Sequence, residues 1–280
     1  MQDILKAFAL ISGLSIFGTA GILAAQDPAD VTLINPSVDH VLVSLPSARF
    51  TDLNEFLDTA FGEGWFLVPD RSKGFLRSRV GTTYVEIFDT GATGALGSPP
   101  GLGYQIAISS SDGEDGKRKA VVHFGYEGIQ QRSYFTVGAN YHAGHALGGT
   151  FFVSYVKRPT TTVHDTPVSA LVTVVTTMPQ FRMGEIETYR AFGFSSRPIP
   201  AGVEVHDTAG HTVCFLARPN DDLYALGHVA LKFRLVEPVA ERREAPIGDS
   251  GVMSVVFDGE HMWLLLRTDL FDPFSMDVAC

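Results

Sequence analysis

The alternation of apolar and polar positions between residues 37 and 89 predicts a strand, a helix and three further strands. Residues 37–45 are mostly apolar and are followed by Pro46, which is typical of a buried strand. Residues 50–61 place apolar side chains at helical spacing, with Thr51 as the predicted N-cap and glycines 62 and 64 after the last turn. Apolar runs at 65–68, 74–80 and 82–89 predict the remaining strands.

A similar pattern recurs later in the chain. Residues 103–109 can be aligned with residues 38–44, which places Gln105 at the position of His40. Residues 150–156 can be aligned with residues 82–88, which places Ser154 at the position of Glu86. The interval is 46 positions in the first unit and 49 in the second, so the pattern indicates a duplicated unit.

A second region follows a Pro- and Thr-rich linker at residues 158–162. It contains a predicted strand at 170–175 and a predicted helix at 183–192, which ends at Gly193. The predicted strands that follow lie at 203–206, 212–217, 227–235, 252–257 and 261–267. We therefore expect a domain of two modules at 37–158 and a second, degenerate module region at 168–270.

The amino-terminal segment is typical of a secretory signal peptide over residues 1–26. Residues 7–25 carry no charge, and small residues end the run before the polar Gln26-Asp27-Pro28. A membrane anchor and a buried helix are the alternatives, although three glycines make the run a poor membrane span. The segment predicts a secreted or periplasmic protein, or a membrane-anchored one if it is not cleaved.

Composition and charge restrict the class of protein. The net charge of -10 gives no electrostatic attraction to nucleic acid, so a nucleic-acid partner is not expected. The hydrophobic content of 45%, with 28 glycines and 15 prolines, favours a globular, β-rich fold with many turns. The chain has two cysteines: Cys214 is predicted to be a small core residue, with a bridge to Cys280 as the alternative.

His40 and Glu86 form the most informative pair of residues in the sequence. Each lies in an apolar, strand-like run, and an imidazole and a carboxylate on two strands of one sheet can converge on a divalent metal. Asp39 should point to the opposite face of its strand and is therefore a poor partner for His40. The alternative is a buried, hydrogen-bonded His–Glu pair without a metal, because a buried carboxylate needs such a partner.

The strand that carries Asp39-His40-Val41, the helix after it and the strand Tyr84-Val85-Glu86-Ile87-Phe88 resemble a module of the vicinal-oxygen-chelate superfamily. This superfamily includes glyoxalase I, extradiol dioxygenases and antibiotic-resistance proteins. The resemblance implies an α+β fold in which repeated βαβββ modules form cupped mixed sheets with helices on the outside. It also implies metal ligands on the first and last strand of each module.

Carried over to this chain, the resemblance implies that His40, Glu86 and Gln105 hold a divalent metal ion such as Zn, Fe, Mn or Ni. Glu86 would also serve as a catalytic base. Ser154 replaces the glutamate expected on the last strand of the second module, which leaves a four-ligand site incomplete.

Three further histidines are candidate metal ligands. His142 and His145 have a spacing that suits a metal-binding turn, although the glycines around them also suit a plain hairpin. His228 begins a strand in the manner of a dioxygenase ligand, and a core histidine is the alternative.

The leading functional prediction is a metal-dependent lyase, isomerase or dioxygenase that acts on a small oxygenated substrate. The alternative is a non-catalytic protein that binds a small ligand on the same sheet, and a third class is a structural protein of the cell envelope. The expected partner is a small molecule, and a homodimer is compatible with the sequence.

Overall fold

The computed structural model describes residues 31–61, 75–80, 83–92, 103–124, 130–133, 139–144, 150–155, 167–179, 186–218 and 228–268. Several predictions concern residues outside these ranges and stay predictions. They are the segment 1–26, the strand at 65–68, the linker at 158–162, His145 and Cys280.

The first sheet contains seven strands, and two helices accompany it. These elements are β1 (Ser37–Leu45), α1 (Ser47–Phe61), β2 (Phe75–Val80), β3 (Thr83–Asp89), β4 (Tyr104–Ser109), α2 (Glu114–Phe124), β5 (Gln130–Ser133), β6 (Ala139–Gly144) and β7 (Thr150–Tyr155). Of β2, β5 and β6 only the backbone is described. The strand order is β2-β3-β1-β4-β7-β6-β5.

The first sheet is built from two units with the same connectivity. In the first unit the opening strand β1 pairs in parallel with the closing strand β3. In the second unit β4 pairs in parallel with β7. In each unit a helix follows the opening strand and carries the chain back toward the end of the sheet where that strand began. The closing strand can therefore run parallel to the opening strand. The antiparallel pairing of β1 with β4 joins the two units.

The second sheet contains eight strands and one helix. These elements are β8 (Val168–Pro179), α3 (Ile186–Ala191), β9 (Ser195–Ile199), β10 (Gly202–His206), β11 (Thr212–Arg218), β12 (Val229–Leu235), β13 (Arg243–Ile247), β14 (Met253–Asp258) and β15 (His261–Leu265). The strand order is β13-β14-β15-β12-β8-β11-β10-β9.

The two halves of the second sheet differ in their connections. In the first half β8 pairs in parallel with β11 after the helix α3, as in the first sheet. In the second half residues 236–242 connect β12 to β13 without a helix. Since no helix returns the chain, the four strands follow one another with alternating direction, and β12 pairs antiparallel with β15.

One hydrophobic core joins the two sheets. It contains Phe50, Leu53 and Leu57 of α1, Tyr189 of α3, and residues from both sheets such as Ile87 and Phe233. The helices thus cover one face of their own sheets, and these faces pack together in the interior. The predicted α+β fold with mixed sheets is confirmed. Within the described part of the chain, none of the helices is long and apolar enough to cross a bilayer.

Two helix predictions need correction. The first helix begins at Ser47 rather than near Phe50, and the backbone N–H of Phe50 donates to the carbonyl of Pro46. The prediction that Thr51 caps the helix is therefore wrong. The helix α2 was not expected, because the residues 114–119 are mostly charged. Their ion pairs, such as the one between Arg118 and Asp115 at 2.8 Å, follow helical i,i+3 spacing.

Candidate small-molecule and metal site

The candidate site lies on the face of the first sheet that carries no helix, which we call the first helix-free face. Because side chains alternate along a strand, His40 and Leu42 of β1 lie on one face while Val41 and Val43 lie on the other. Leu42 is directly opposite Glu86 of β3 and Gln105 of β4. These opposed positions share a face of the sheet, so His40, Glu86 and Gln105 all lie on the first helix-free face.

His40 is held by the residue before it. Its Nδ1 lies 2.8 Å from Oδ1 of Asp39, and both side chains are buried. The expectation that Asp39 points away from His40 is wrong because the register between β1 and β4 shifts between Val38 and His40, which interrupts strict alternation. Since Nδ1 faces the carboxylate, Nε2 is the ring nitrogen suited to a metal, an arrangement common among metal-binding histidines.

The neighbours of His40 fix the plane of its ring. The ring stacks on Tyr84, with centroids 4.3 Å apart and an angle of 15° between the planes. Tyr84 is the residue directly opposite His40 on β3. On the other side, Ala107 of β4 is opposite His40 and adds little bulk. The ring is therefore supported by an aromatic partner on one side and borders a small residue on the other.

Glu86 and Gln105 lie on either side of an apolar centre. Glu86 is 7% exposed, and Gln105 is partly buried. Leu42, between them, belongs to a separate apolar cluster with Phe88, Ala107 and Val153. The first helix-free face therefore combines three nitrogen- or oxygen-bearing side chains with an apolar surface.

The register reveals which residue of the second unit corresponds to Glu86. Leu42 is opposite Gln105 and Ala107 is opposite His40, so a twofold axis between β1 and β4 exchanges His40 with Gln105 and Leu42 with Ala107. Glu86 is opposite Leu42, and Phe151 is opposite Ala107. The same axis therefore relates Glu86 to Phe151.

The assignment of Ser154 as the counterpart of Glu86 is thus wrong. The backbone register places position 154 on the face of Phe152, which is buried in the helix-covered core. The interval supports the correction, because 46 positions separate His40 from Glu86 and 46 also separate Gln105 from Phe151. An aromatic residue occupies the position where the second unit would supply a carboxylate.

The described residues contain no group of three or more His, Cys, Asp or Glu side chains that could hold a metal ion. The set His40, Glu86 and Gln105 includes two of these residue types and one amide. Imidazole, carboxylate and amide oxygen are all donors to divalent cations, so the set fits a metal with three protein ligands and open positions. Position 142 on β6 is opposite Val153, which belongs to the same face.

The second sheet has its own helix-free face, on which the described residues form no comparable set. Its centre is the apolar cluster of Val175, Cys214, Ala230, Val256, Trp263 and Leu265. Cys214 is fully buried. At the edge of this face, His228 Nδ1 lies 3.1 Å from Thr177 Oγ1, and His228 Nε2 lies 3.2 Å from Arg267 Nη1. Because arginine only donates, His228 is an acceptor at Nε2.

A buried carboxylate on β10 is held by two basic side chains. Oε1 of Glu204 lies 2.5 Å from Nε of Arg197 and 2.7 Å from Nε2 of His206. Burial alone would raise the pKa of Glu204, but the hydrogen bonds from Arg197 and His206 hold it below the ordinary value. This cluster secures the β9–β10 hairpin at the edge of the second sheet.

A hydrogen-bonded turn joins the second sheet to the candidate site. In the turn between β10 and β11, Oδ2 of Asp207 lies 2.6 Å from Nδ1 of His211. The same oxygen accepts a hydrogen bond from the backbone N–H of Val38 at 2.8 Å, next to Asp39 and His40. Burial alone would raise the pKa of Asp207, but the bonds from His211 and Val38 keep it below its ordinary value.

We expect an Asp207→Asn variant to be less stable at pH 7 by about 2 kcal/mol, because it loses charge-assisted hydrogen bonds in a buried place. The lowered pKa makes the contribution pH-dependent: it is complete above the pKa of the unfolded chain, about 3.9, and is lost as the pH falls through the lower folded-state value. Urea unfolding at pH 7 and at pH 3 measures this, and the gap between the two proteins should narrow at pH 3. An equal gap at both values would contradict the assignment.

The connectivity agrees with the fold that the resemblance in the sequence implies. Units in which an opening strand, a helix and antiparallel strands place the first and last strands side by side, joined in pairs, are the arrangement of the vicinal-oxygen-chelate fold. The resemblance seen in the sequence is confirmed at the level of the fold.

Three solved structures resemble part of the chain at low sequence identity. A "xylose isomerase-like TIM barrel/4-hydroxyphenylpyruvate dioxygenase fusion protein" matches 68% of the chain at 13% identity and a TM-score of 0.43. A mutant of 4-hydroxymandelate synthase from Streptomyces coelicolor matches 67% at 17% identity and a TM-score of 0.38. A Mn(II)-bound glyoxalase from Novosphingobium aromaticivorans matches 67% at 13% identity and a TM-score of 0.41.

The chain spans only part of these structures: 33% of the first, 65% of the second and 63% of the third. No protein-family model matches the sequence. No curated protein sequence matches it either. The similarity therefore concerns the fold, and the function has to be argued from the residues of this chain.

Proposed function

We propose that the first helix-free face binds a divalent metal through His40, Glu86 and Gln105 and presents it to a small oxygenated molecule. The observation that carries the proposal is the buried Asp39–His40 pair, whose 2.8 Å contact occupies Nδ1 and makes Nε2 the ring nitrogen that would coordinate a metal. Glu86 and Gln105 lie on either side of Leu42 on the same face. Leu42 is the next residue after His40 on that face of β1.

Each residue of the set has a distinct part in this proposal. Asp39 and Tyr84 fix the orientation of the His40 ring before any ligand arrives. Glu86 supplies the negative charge that a cation needs, and a carboxylate in this place can also accept a proton from a substrate carbon or hydroxyl. A bound divalent cation would act as a Lewis acid toward the oxygen atoms of the substrate.

The apolar cluster gives the second part of the binding surface. Leu42, Phe88, Ala107 and Val153 are buried and form two pairs related by the twofold axis. They would contact the carbon skeleton of a ligand and keep water away from Glu86. The proposed substrate therefore has a polar, oxygen-bearing end and an apolar body.

The cluster also supports a second candidate function, in which the protein binds an apolar small molecule without metal or catalysis. In that case Asp39, His40 and Glu86 form a buried polar network, and Phe151 at the carboxylate position marks a site that no longer needs a metal. Both functions use the same face, so a single measurement separates them.

The test is the metal content of the purified protein by elemental mass spectrometry, repeated after reconstitution with Zn, Fe, Mn and Ni. The metal function predicts about one ion per chain in the wild type. A His40→Ala variant should fall to background, while a His206→Ala variant, which changes a histidine on the second sheet, should keep the metal. Absence of metal from the reconstituted wild type would contradict the metal function. It would favour the second candidate, the binding of an apolar small molecule without metal.

A further inference from the structure

The turn from Asp207 to His211 connects the second sheet to the backbone beside His40. Oδ1 of Asp207 accepts hydrogen bonds from the backbone N–H groups of Ala209 and His211, at 2.9 and 2.8 Å. Its Oδ2 lies 2.8 Å from the N–H of Val38 and 2.6 Å from Nδ1 of His211. The carboxylate therefore shapes its own turn and also holds a residue of β1 that is distant in sequence.

Thr83 completes this connection from the first sheet. Its Oγ1 lies 2.9 Å from Nε2 of His211 and 3.3 Å from the carbonyl oxygen of Val38. The hydroxyl, imidazole and carboxylate follow one another as in a hydrolase triad. However, Thr83 lies with Val85 and Ile87 on the helix-covered face of β3, and not on the first helix-free face with Tyr84 and Glu86. The arrangement is a structural relay rather than a nucleophilic site.

The relay has two arrangements because a hydroxyl has a single proton to donate. When His211 is neutral and carries its proton on Nδ1, Nε2 is an acceptor and receives the proton of Thr83. When His211 is doubly protonated, its Nε2–H donates to Thr83, and the hydroxyl proton is then available to the carbonyl of Val38. The charge on His211 therefore decides whether the carbonyl of Val38 receives a hydrogen bond from Thr83.

Val38 is the residue through which the change in the hydrogen bond from Thr83 can affect the candidate site. Its N–H is bound by Asp207, its carbonyl faces Thr83, and the register shift that turns Asp39 toward His40 begins at Val38. A change at its carbonyl acts on the peptide group that leads directly into Asp39. The Asp39 carboxylate in turn sets the orientation of His40.

We propose that His211 is a positioning residue that couples the second sheet to the His40 site, and that its protonation sets the hydrogen bonding of Thr83 and Val38. The charged group in contact with His211 is Asp207 on its own turn. On β10 the nearby His206 is bonded to Glu204 and Thr212. On the first sheet, the titratable groups next to Val38 and Thr83 are Asp39, His40 and Tyr84. The consequence for metal or ligand binding rests on the proposed function, whereas the coupling itself does not.

The coupling can be measured on the full-length, metal-free protein by nuclear magnetic resonance of ¹⁵N-labelled histidine rings and backbone amides between pH 5 and pH 8. Loss of one ring signal in a His211→Gln variant assigns His211. In the wild type we expect the amides of Val38 and Asp39 and the ring of His40 to show an inflection at the titration midpoint of His211.

Two variants separate the relay from a general effect of pH. Thr83→Val removes the hydroxyl at nearly constant volume, so the inflection should disappear from Val38, Asp39 and His40 while His211 still titrates. Thr83→Ser keeps the hydroxyl and should restore it. Thr212→Val, which removes the hydroxyl bonded to His206 instead, should leave the inflection unchanged.

The proposal is overturned if His211 does not titrate in this range. It is also overturned if the amide of Val38 and the ring of His40 show no inflection at the midpoint of His211 in the wild type. It is also overturned if the inflection persists in Thr83→Val. Metal content measured on the same samples tests the proposed function separately: a coupled but metal-free protein would retain the relay and lose the metal site.

Discussion

A Phe151→Glu variant is expected to bind Zn or Mn on the order of 100-fold more tightly than the wild type, a difference of about 2.7 kcal/mol in binding free energy. The reason is the twofold relation that pairs position 151 with Glu86 and Gln105 with His40. Restoring a carboxylate at position 151 would give the set one charged ligand from each unit, which completes four protein ligands. Isothermal titration calorimetry with the metal salts measures the affinity.

The matched control is Ser154→Glu, which adds the same side chain three residues later. The register places position 154 on the helix-covered face, so this variant should gain no metal affinity and should lose stability by burying an unpaired carboxylate. Equal affinities for Phe151→Glu and the wild type, in a folded protein, would contradict the proposed metal site. A gain with Ser154→Glu instead would contradict the twofold relation.

The fold was largely predictable because its units repeat a strand-helix-strand pattern with strong hydrophobic periodicity. The strands β1, β3, β4 and β7 coincide closely with apolar runs in the sequence. The helix α2 could not be recognised from its apolar pattern, since its first turns are charged and only Ala120 is fully buried among its described side chains. Strands β9 and β13 were missed because their residues are mostly exposed, as expected for strands at the edges of a sheet.

The candidate site was predictable only in part. The resemblance to a known module was enough to name His40, Glu86 and Gln105 as one set, and the strand register is what places them on one face. The orientation of Asp39 depends on a register shift that no local pattern indicates. The relay could not be predicted from the sequence, because Thr83 and His211 are 128 positions apart. Thr83 belongs to the first sheet and His211 to a turn of the second, so only the packing of the two sheets brings them together.

The misplaced counterpart of Glu86 shows where pattern alignment fails. Aligning residues 150–156 with 82–88 matches apolar runs, but an offset of three positions is odd and moves every side chain to the opposite face of the strand. The parallel pairing of β4 with β7 fixes the register independently of residue type. In a duplicated fold, the internal symmetry is thus a better guide to ligand positions than the similarity of short segments.

Gly202→Ala is expected to destabilise the protein by about 3 kcal/mol or to prevent folding, because the added methyl group has no room. A Cβ atom at position 202 would lie 1.9 Å from the carbonyl oxygen of Phe215, which belongs to the backbone of the neighbouring strand and cannot rotate away as a side chain could. Relief of this clash would require β10 to separate from β11, and both strands lead into the turn that holds Val38.

Gly210→Ala is the control: its φ of 92° is unfavourable for alanine, but nothing lies within 4 Å of the added atom. That strain alone costs about 1 kcal/mol. Urea unfolding of both variants measures the difference in their free energies of unfolding. Similar midpoints would show that β10 and β11 can separate at little cost. That result would also contradict a rigid positioning of the His40 site by this hairpin.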